Sequence, residues 1–335
     1  MKRPILHLIP HLSGGGMERR MGYIAKITNN DFPVHVAYIN KGLNFKDIDL
    51  SNVKLHKINA FNNYDFRILI RLIFLIIHLR PQIIQTWSIQ MDILGGFLCS
   101  VFSINHILME PNSPNDDNPK SFNFKVFIKE KLGKNAIVIS NSNAGKIYWD
   151  SKNVRKSLLI RNGFDLQRIL RSENDLTKKL DNFIKDNKFV VIASRLSESS
   201  LHKRTDLVIE TFAKIIEKEK SLKLIICGGG PLINKYKDLV NSFGITSNVF
   251  FTGFVNRENL WKIFYKASLF ISLSKYEGMS NSLVEAALCR TPLFLSKIKS
   301  HTEIVPIHLA KYVDEYNKNF LSDEIIRCLK NSKIL

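Results

Sequence analysis

Cysteine is scarce and scattered. The 335-residue chain has four, Cys99, Cys227, Cys289 and Cys328, and none lies near another. That spacing gives no CxxC metal site and no disulfide framework, so a reducing compartment is the simplest reading. Neither GxGxxG nor GxxxxGK[ST] occurs, so the dinucleotide and ATPase fingerprints are missing. No apolar run is long enough to span a bilayer. The greasiest stretch, FRILIRLIFLIIHLRP at 66–81, is interrupted by Arg67 and Arg71 and ends in His78 and Arg80. So apolar a helix is expected to pack inside a domain. The N-terminal MKRPILHLIPHLSGGG lacks a full apolar h-region and a small-residue cleavage site, which argues against a signal peptide. Acidic residues are also short, 30 against 49 Lys and Arg, leaving a net charge of +19. Nucleic acid, an anionic membrane face and phosphorylated substrates all suit that surplus. No nucleic-acid-binding motif accompanies it, so a nucleic-acid-binding protein ranks below an enzyme.

What is present looks globular: 45% hydrophobic and 24% charged residues, in a chain long enough for two domains. Short apolar runs alternate with amphipathic ones. Strands are expected at 5–9, 34–39, 83–86, 107–110 and 136–140, with helices at 17–28, 66–81 and 92–102. A charge-rich stretch near 166–187 looks like a boundary. A second series follows, with strands at 189–193, 222–227, 249–252 and 269–274 and helices at 205–218, 232–243 and 281–289. Such alternation implies parallel sheets with crossover helices. The expected fold is α/β, two Rossmann-like domains facing a cleft, with ligand sites at the strand C-terminal ends. The expected division is 1–165, 166–305 and a closing or crossover helix in 306–335.

Three glycine loops fall at strand ends: SGGG at 13–16, GGG at 228–230, and Gly278. Glycine lets backbone amides approach a phosphate closely. Glu277 and Glu285 stand eight residues apart in EGMSNSLVE, one in a loop after a strand and one inside a helix. A helix N-terminus favours anions, whereas carboxylates favour hydroxyls, so together they suit a sugar nucleotide. Alone, the segment fits a solvated helix with an ordinary cap equally well. Arg195 at a strand end, with Lys203 and Arg204 opening a helix, can clamp a diphosphate.

The ordered set SRL…KRTDLVIETF, LIICGGGP, VFFTGFV, YEGMSNSLVEAALCRTP and HTEIV resembles the family-4 retaining glycosyltransferases of the GT-B fold. SGGGMERR, PQIIQTWSIQMDILGG, VISNSNAGK and IRNGFD extend the resemblance over most of the chain. It implies a metal-independent transfer of sugar from a nucleoside diphosphate sugar, UDP-linked by expectation, with no cofactor. By the same resemblance, Glu285 holds the ribose and Glu277 the donor sugar. The amides of Gly278, Met279, Ser280 and Asn281 lie nearby, and Arg195 and Lys203 clamp the diphosphate. Gly229 falls on the donor side, Gly253 and Phe254 where the family contacts the base, and Gly15 and Gly16 on a loop facing phosphate and acceptor. Three positions depart from the pattern. Arg290 stands where the family has glycine, the loop from Arg195 to Lys203 is long, and MEPNSPNDD carries Pro111 where the family has arginine. Glu110 and Asn112 remain there as candidate site residues of the first domain. A nucleotide-sugar epimerase on the same fold is the nearest alternative activity.

Asp116 and Asp117 form an acidic pair, but their Pro- and Asn-rich surroundings suit a solvated loop better than a metal site. NPKSFNFKVFIKEKLGK at 118–134 mixes five lysines and one glutamate with phenylalanines. It fits an interfacial helix on anionic lipid, or a core-facing helix with a solvated basic side. The expected partners are therefore a nucleotide sugar, a lipid-linked or soluble saccharide acceptor and an anionic membrane surface. The expected location is cytoplasmic, peripheral on the inner membrane face.

Overall fold

A computed structural model describes residues 2–42, 45, 48–63, 65–111, 124–171 and 177–330. The chain forms two compact units, Met1–Gly163 and Phe164–Leu335. Asn112, Asp116, Asp117 and residues 118–123 lie outside the described residues.

The first unit runs β1 (Ile5–Leu12), α1 (Gly16–Thr28), β2 (Val34–Lys41), β3 (Lys54–Lys57), α2 (Arg67–Leu79), β4 (Ile83–Trp87) and α3 (Ile89–Phe102). It continues with β5 (Asn105–Glu110), α4 (Phe124–Gly133), β6 (Ile137–Ser140), α5 (Asn143–Asp150) and β7 (Lys156–Leu159). The seven strands form one sheet in the order β3-β2-β1-β4-β5-β6-β7, and every pair is parallel. A parallel sheet covered on both faces needs near-continuous apolar strands, and β1 is buried along almost its whole length. Pro10 lacks an N–H, yet β1 continues through it. Pairing with β4 ends at Leu8, and the register with β2 passes from Ile9 to His11. Helix α2 stops where Arg80 turns left-handed and Pro81 cannot continue it.

The second unit runs α6 (Leu166–Leu170), α7 (Lys178–Ile184), β8 (Phe189–Ala193), α8 (Thr205–Lys218), β9 (Lys223–Cys227), α9 (Ile233–Ser242), β10 (Val249–Gly253) and α10 (Arg257–Lys266). Then come β11 (Leu269–Ser272), α11 (Asn281–Leu288), β12 (Leu293–Ser296), α12 (Lys299–Thr302), β13 (Lys311–Val313) and α13 (Lys318–Lys330). Its sheet is also parallel, in the order β10-β9-β8-β11-β12-β13. One core lies between this sheet and α8, α9 and α13, the other beneath α7, α10 and α11. Ile169, Leu180 and Ile184 enter that second core, so α6 and α7 of the charge-rich 166–187 stretch pack into this unit. Helix α13 is tied to α8 by Lys218–Asp323 at 2.6 Å and Lys318–Glu210 at 2.7 Å.

Arg290 has a structural explanation. Helix α11 ends in a Schellman arrangement, with Thr291 N–H donating to Ala286 and Arg290 N–H to Ala287. Arg290 occupies the left-handed position at φ 57°. Glycine accepts that conformation without Cβ strain, which is the physical reason for the family's preference.

Candidate active site

In the second unit the chain leaves β8 toward β9 on one side, and later returns to place β11 on the other. Such a reversal opens a crevice at the strand C-terminal ends, where open α/β sheets bind ligands. Arg195 follows β8 and Glu277 follows β11, so the two flank the switch point. Sequence order alone gave these positions; the sheet order brings them together.

The loop after β9 is built against the segment after β8. A Cβ on Gly228 would sit 2.0 Å from the Ser194 carbonyl oxygen, and one on Gly230 would sit 2.2 Å from that of Leu196. Both have positive φ, 136° and 155°, so only glycine fits. Between them, Gly229 accepts from Leu196 N–H at 3.1 Å and would place a Cβ 3.4 Å from the Phe254 amide nitrogen. Gly228 N–H donates to Gly253 at 3.0 Å. Arg195, Gly229, Gly253 and Phe254 thus share the C-terminal edge of β8, β9 and β10. Arg195 is exposed, with no carboxylate partner among the described residues.

The long Arg195–Lys203 loop folds into a 3-10 turn over Glu198–Lys203. It is fastened to the loop after β11 by Lys275 N–H donating to the His202 carbonyl at 2.8 Å and by the His202–Tyr276 ring stack. This brings Lys203 Nζ to 2.6 Å from Glu277 Oε1, which also accepts from Ser274 Oγ at 2.8 Å. Burial raises the Glu277 pKa, but Lys203, His301 and the Ser274 hydroxyl outweigh it and hold the carboxyl below its usual value. Glu277 is therefore ionised at neutral pH. His301, buried beside it and hydrogen-bonded to the Ser296 carbonyl, is held below its ordinary pKa by burial. The family-like segment HTEIV gave no role for His301 in advance, nor did the sequence mark Ser274.

Helix α11 begins at Asn281 with Ser280 at its N-cap. Gly278 and Met279 connect it to Glu277, so the positive end of its dipole lies next to this cluster. The Ser280 Oγ is buried and has no hydrogen-bond partner among the described residues. Glu285 lies one turn further on, 2% exposed, and is ion-paired with Arg257. Arg257 opens α10, which is capped by Asn256 Oδ1 accepting from Asn259 N–H at 2.9 Å. The sequence reading placed no element at α10, and nothing in the sequence pointed Arg257 at Glu285.

In the first unit, Gly15 is the N-cap of α1 and Gly16 its first residue, so both stand at a helix N-terminus after the central strand β1. Glu110 ends β5, but its side chain points into the fold. It accepts from Lys129 Nζ at 2.7 Å and Trp149 Nε1 at 3.0 Å. Lys129 also reaches Asp92 at 3.3 Å. One cation thus serves two carboxylates in a buried cluster. Burial lifts the Asp92 carboxyl to about 6 against the pull of Lys129. Burial also opposes the charge on Lys129, but Glu110 and Asp92 outweigh it and raise its pKa. Lys129 therefore faces the core, while Lys125 and Lys131 stay on the solvated side of α4. Among the described residues, no cluster of three or more His, Cys, Asp or Glu side chains is arranged to hold a metal. No described helix is long and apolar enough to cross a membrane.

Comparison with known proteins follows the same division. The sequence model of the family described as Glycosyl transferases group 1 matches residues 174–335. The poly(ribitol-phosphate) alpha-N-acetylglucosaminyltransferase of Staphylococcus aureus is 26% identical over 174 residues, covering 51% of this chain and 34% of that protein. The alpha-monoglucosyldiacylglycerol synthase of Streptococcus pneumoniae is 28% identical over 141 residues, 40% of this chain and 31% of that one. The chain thus spans about a third of the length of these curated relatives. The Anabaena HepE structure, in complex with UDP and glucose, superposes with a TM-score of 0.82 at 18% identity, covering 99% of this chain and 91% of that one. That likeness is one of fold. The two parallel-sheet units give this chain the GT-B fold, and its second unit matches the sequence model of the group 1 glycosyl transferases.

Proposed function

We propose that the protein is a retaining, family-4-type hexosyltransferase. It moves a sugar from a nucleoside diphosphate donor, UDP-linked, to a saccharide acceptor carried on a lipid, in cell-surface polysaccharide or glycan assembly. The observation that carries the proposal is the Lys203–Glu277 pair at the switch point, beside the α11 N-terminus and the exposed Arg195. A cation, a helix dipole and an ionised carboxylate there suit a diphosphate joined to a polyhydroxyl group. Glu285 is assigned to the ribose hydroxyls, and Gly253 and Phe254 to the base side. Gly15 and Gly16 are assigned to the phosphate- and acceptor-facing loop of the first unit.

In this mechanism the bond from the anomeric carbon to the diphosphate oxygen loosens first. Arg195, Lys203 and the α11 dipole stabilise the charge on the leaving oxygen. The acceptor oxygen bonds to the anomeric carbon from the same face and gives its proton to the leaving phosphate. Glu277 holds the donor sugar through its hydroxyls, which become better donors as the ring gains positive character. The side chains carry the charge of the diphosphate, so the reaction is assigned no metal and no cofactor. The acceptor class draws support from the relatives' names, one a poly(ribitol-phosphate) glycosyltransferase and one a diacylglycerol glycolipid synthase. A cytoplasmic enzyme resting on the inner membrane face is the corresponding location.

A panel of nucleotide sugars tests the donor assignment. A ligand that binds only the native state raises the melting temperature, by an amount set by its concentration relative to Kd. A UDP-sugar should stabilise the protein equally with and without EDTA. Lack of stabilisation by every nucleotide sugar, or stabilisation that needs a divalent ion, would refute it.

A further inference from the structure

Helix α2 has two apolar faces, and only one is used. Ile68, Leu72 and Ile76 are buried in the core against the first unit's sheet. Phe66, Ile70, Phe74 and Ile77 form a second row and are exposed, Phe66 at 73% and Phe74 at 69%. The helix packs inside the unit, as expected, through its inner row alone, and its outer side stays in solvent. Helix α3 shares the same core and adds exposed Phe97 and Val101. Helix α4 packs on α3, where a Cβ on Gly96 would sit 2.9 Å from Leu132 Cβ. On α4, Lys129 is buried while Phe124 and Phe127 are exposed on the opposite side. Three neighbouring helices thus present aromatic or branched side chains to solvent from one layer of the unit. Clustering of this kind marks an interaction surface.

The charges around this face have one sign. Arg71 and Arg80 are exposed around α2, and Lys125 and Lys131 on α4. Of the two carboxylates on these helices, Asp92 is buried and Glu130 is half-buried and paired with Lys152 at 3.0 Å. No carboxylate is exposed on the described residues of α2, α3 or α4. A second copy meeting this face would oppose like charges, whereas an anionic bilayer supplies both phosphate and acyl chains.

We infer that the outer face of α2, α3 and α4 docks on an anionic lipid bilayer, with Phe66 and Phe74 inserting between headgroups and Arg71 meeting lipid phosphate. The inference deepens the proposed activity and rests on it for the place of the acceptor. The surface lies on α2 and its neighbours, with α4 contributing Phe124, Phe127 and Lys131 rather than Lys129.

The test is flotation of the full chain with phosphatidylcholine vesicles, with and without phosphatidylglycerol. Wild type should float with the anionic vesicles and lose binding in high salt. The double variant Phe66→Ser, Phe74→Ser should partition at least about 10-fold more weakly. Arg71→Gln should weaken binding about 5-fold at low salt. These side chains are exposed, so both variants should keep the wild-type melting temperature and its rise with a UDP-sugar. Wild type that stays unbound would overturn the inference, as would a double variant that floats like wild type. So would a dimer that the double variant dissolves while vesicles remain unbound. Flotation without nucleotide-sugar binding would sink the transferase proposal and leave the docking surface. Nucleotide-sugar binding without flotation would do the reverse.

Discussion

Glu277→Gln separates a structural carboxylate from one that acts on the donor. Glutamine keeps the shape and an oxygen that can accept from Ser274, but it removes the charge facing Lys203. Removing one member of a wholly buried pair costs about 3–5 kcal/mol. The Lys203 side chain is 21% exposed, so water takes over part of the interaction and the loss falls to about 1–2 kcal/mol. The kinetic effect should be larger. A charge-assisted bond that strengthens toward the transition state is worth about 2–4 kcal/mol, or about 30- to 1000-fold in turnover. Steady-state kinetics should therefore show kcat lower by about 100-fold, while calorimetry finds UDP affinity within about 3-fold of wild type. The pH dependence has a definite sign. The folded Glu277 pKa is depressed, so its stabilisation is complete above the unfolded carboxylate's pKa and disappears as pH falls through the folded value. The wild-type advantage in urea denaturation should be constant around neutral pH and shrink only in acid. An unchanged kcat in the folded variant would refute the donor-sugar role. A UDP affinity that falls as far as kcat would move Glu277 to the nucleotide.

Glu285→Gln should weaken UDP and UDP-sugar alike, by about 10-fold for a lost charge-assisted ribose contact; isothermal titration with wild-type affinity for both would remove Glu285 from the ribose. Lys129→Met leaves Glu110 and Asp92 without their cation, at about 3–5 kcal/mol near pH 8. Because Asp92 takes a proton near about 6, the loss should be smaller in urea melts below that pH; a loss that is equal at both would contradict the cluster. Arg290→Gly relieves a left-handed residue at the α11 C-terminus and should raise stability by about 1 kcal/mol, seen as a higher urea midpoint. A lower midpoint would mean that the Arg290 side chain contributes more than its backbone costs.

The strand–helix alternation exposed the fold because a parallel sheet covered on both faces requires short, continuous apolar strands. Ile5–Ile9, Phe189–Ala193 and Leu222–Cys227 announce themselves this way. Lys54–Lys57 and Lys156–Leu159 do not. They join the first unit's sheet at its two ends as β3 and β7, where one side of the strand is unpaired and polar residues are tolerated. The places of the glycine loops and of Glu277 in the second unit were also legible, because each sits at a strand end in chain order, as was that of Glu285 inside the helix that follows. The pairings Lys203–Glu277 and Arg257–Glu285 were not. They cross 74 and 28 residues of sequence, and no local pattern encodes which long side chain reaches across a sheet edge.

The least legible choice was which side of a greasy helix faces inward. Helices α2 and α4 both carry more apolar surface than one core can take, so hydrophobic periodicity leaves their rotation open. In α4 the decision falls to the ionic cluster. A lysine that must neutralise two buried carboxylates has one workable direction, and fixing Lys129 inward leaves Phe124, Phe127 and Lys131 outward. In α2 no buried charge plays that part. The inner row of Ile68, Leu72 and Ile76 packs with the sheet's own Leu6, Leu8 and Ile84, while Phe66, Ile70, Phe74 and Ile77 remain outside. A basic, lysine-rich helix thus hides its central lysine, and the most apolar helix keeps its aromatics in solvent. Each outcome follows from what the interior can accommodate rather than from the average hydropathy of the segment.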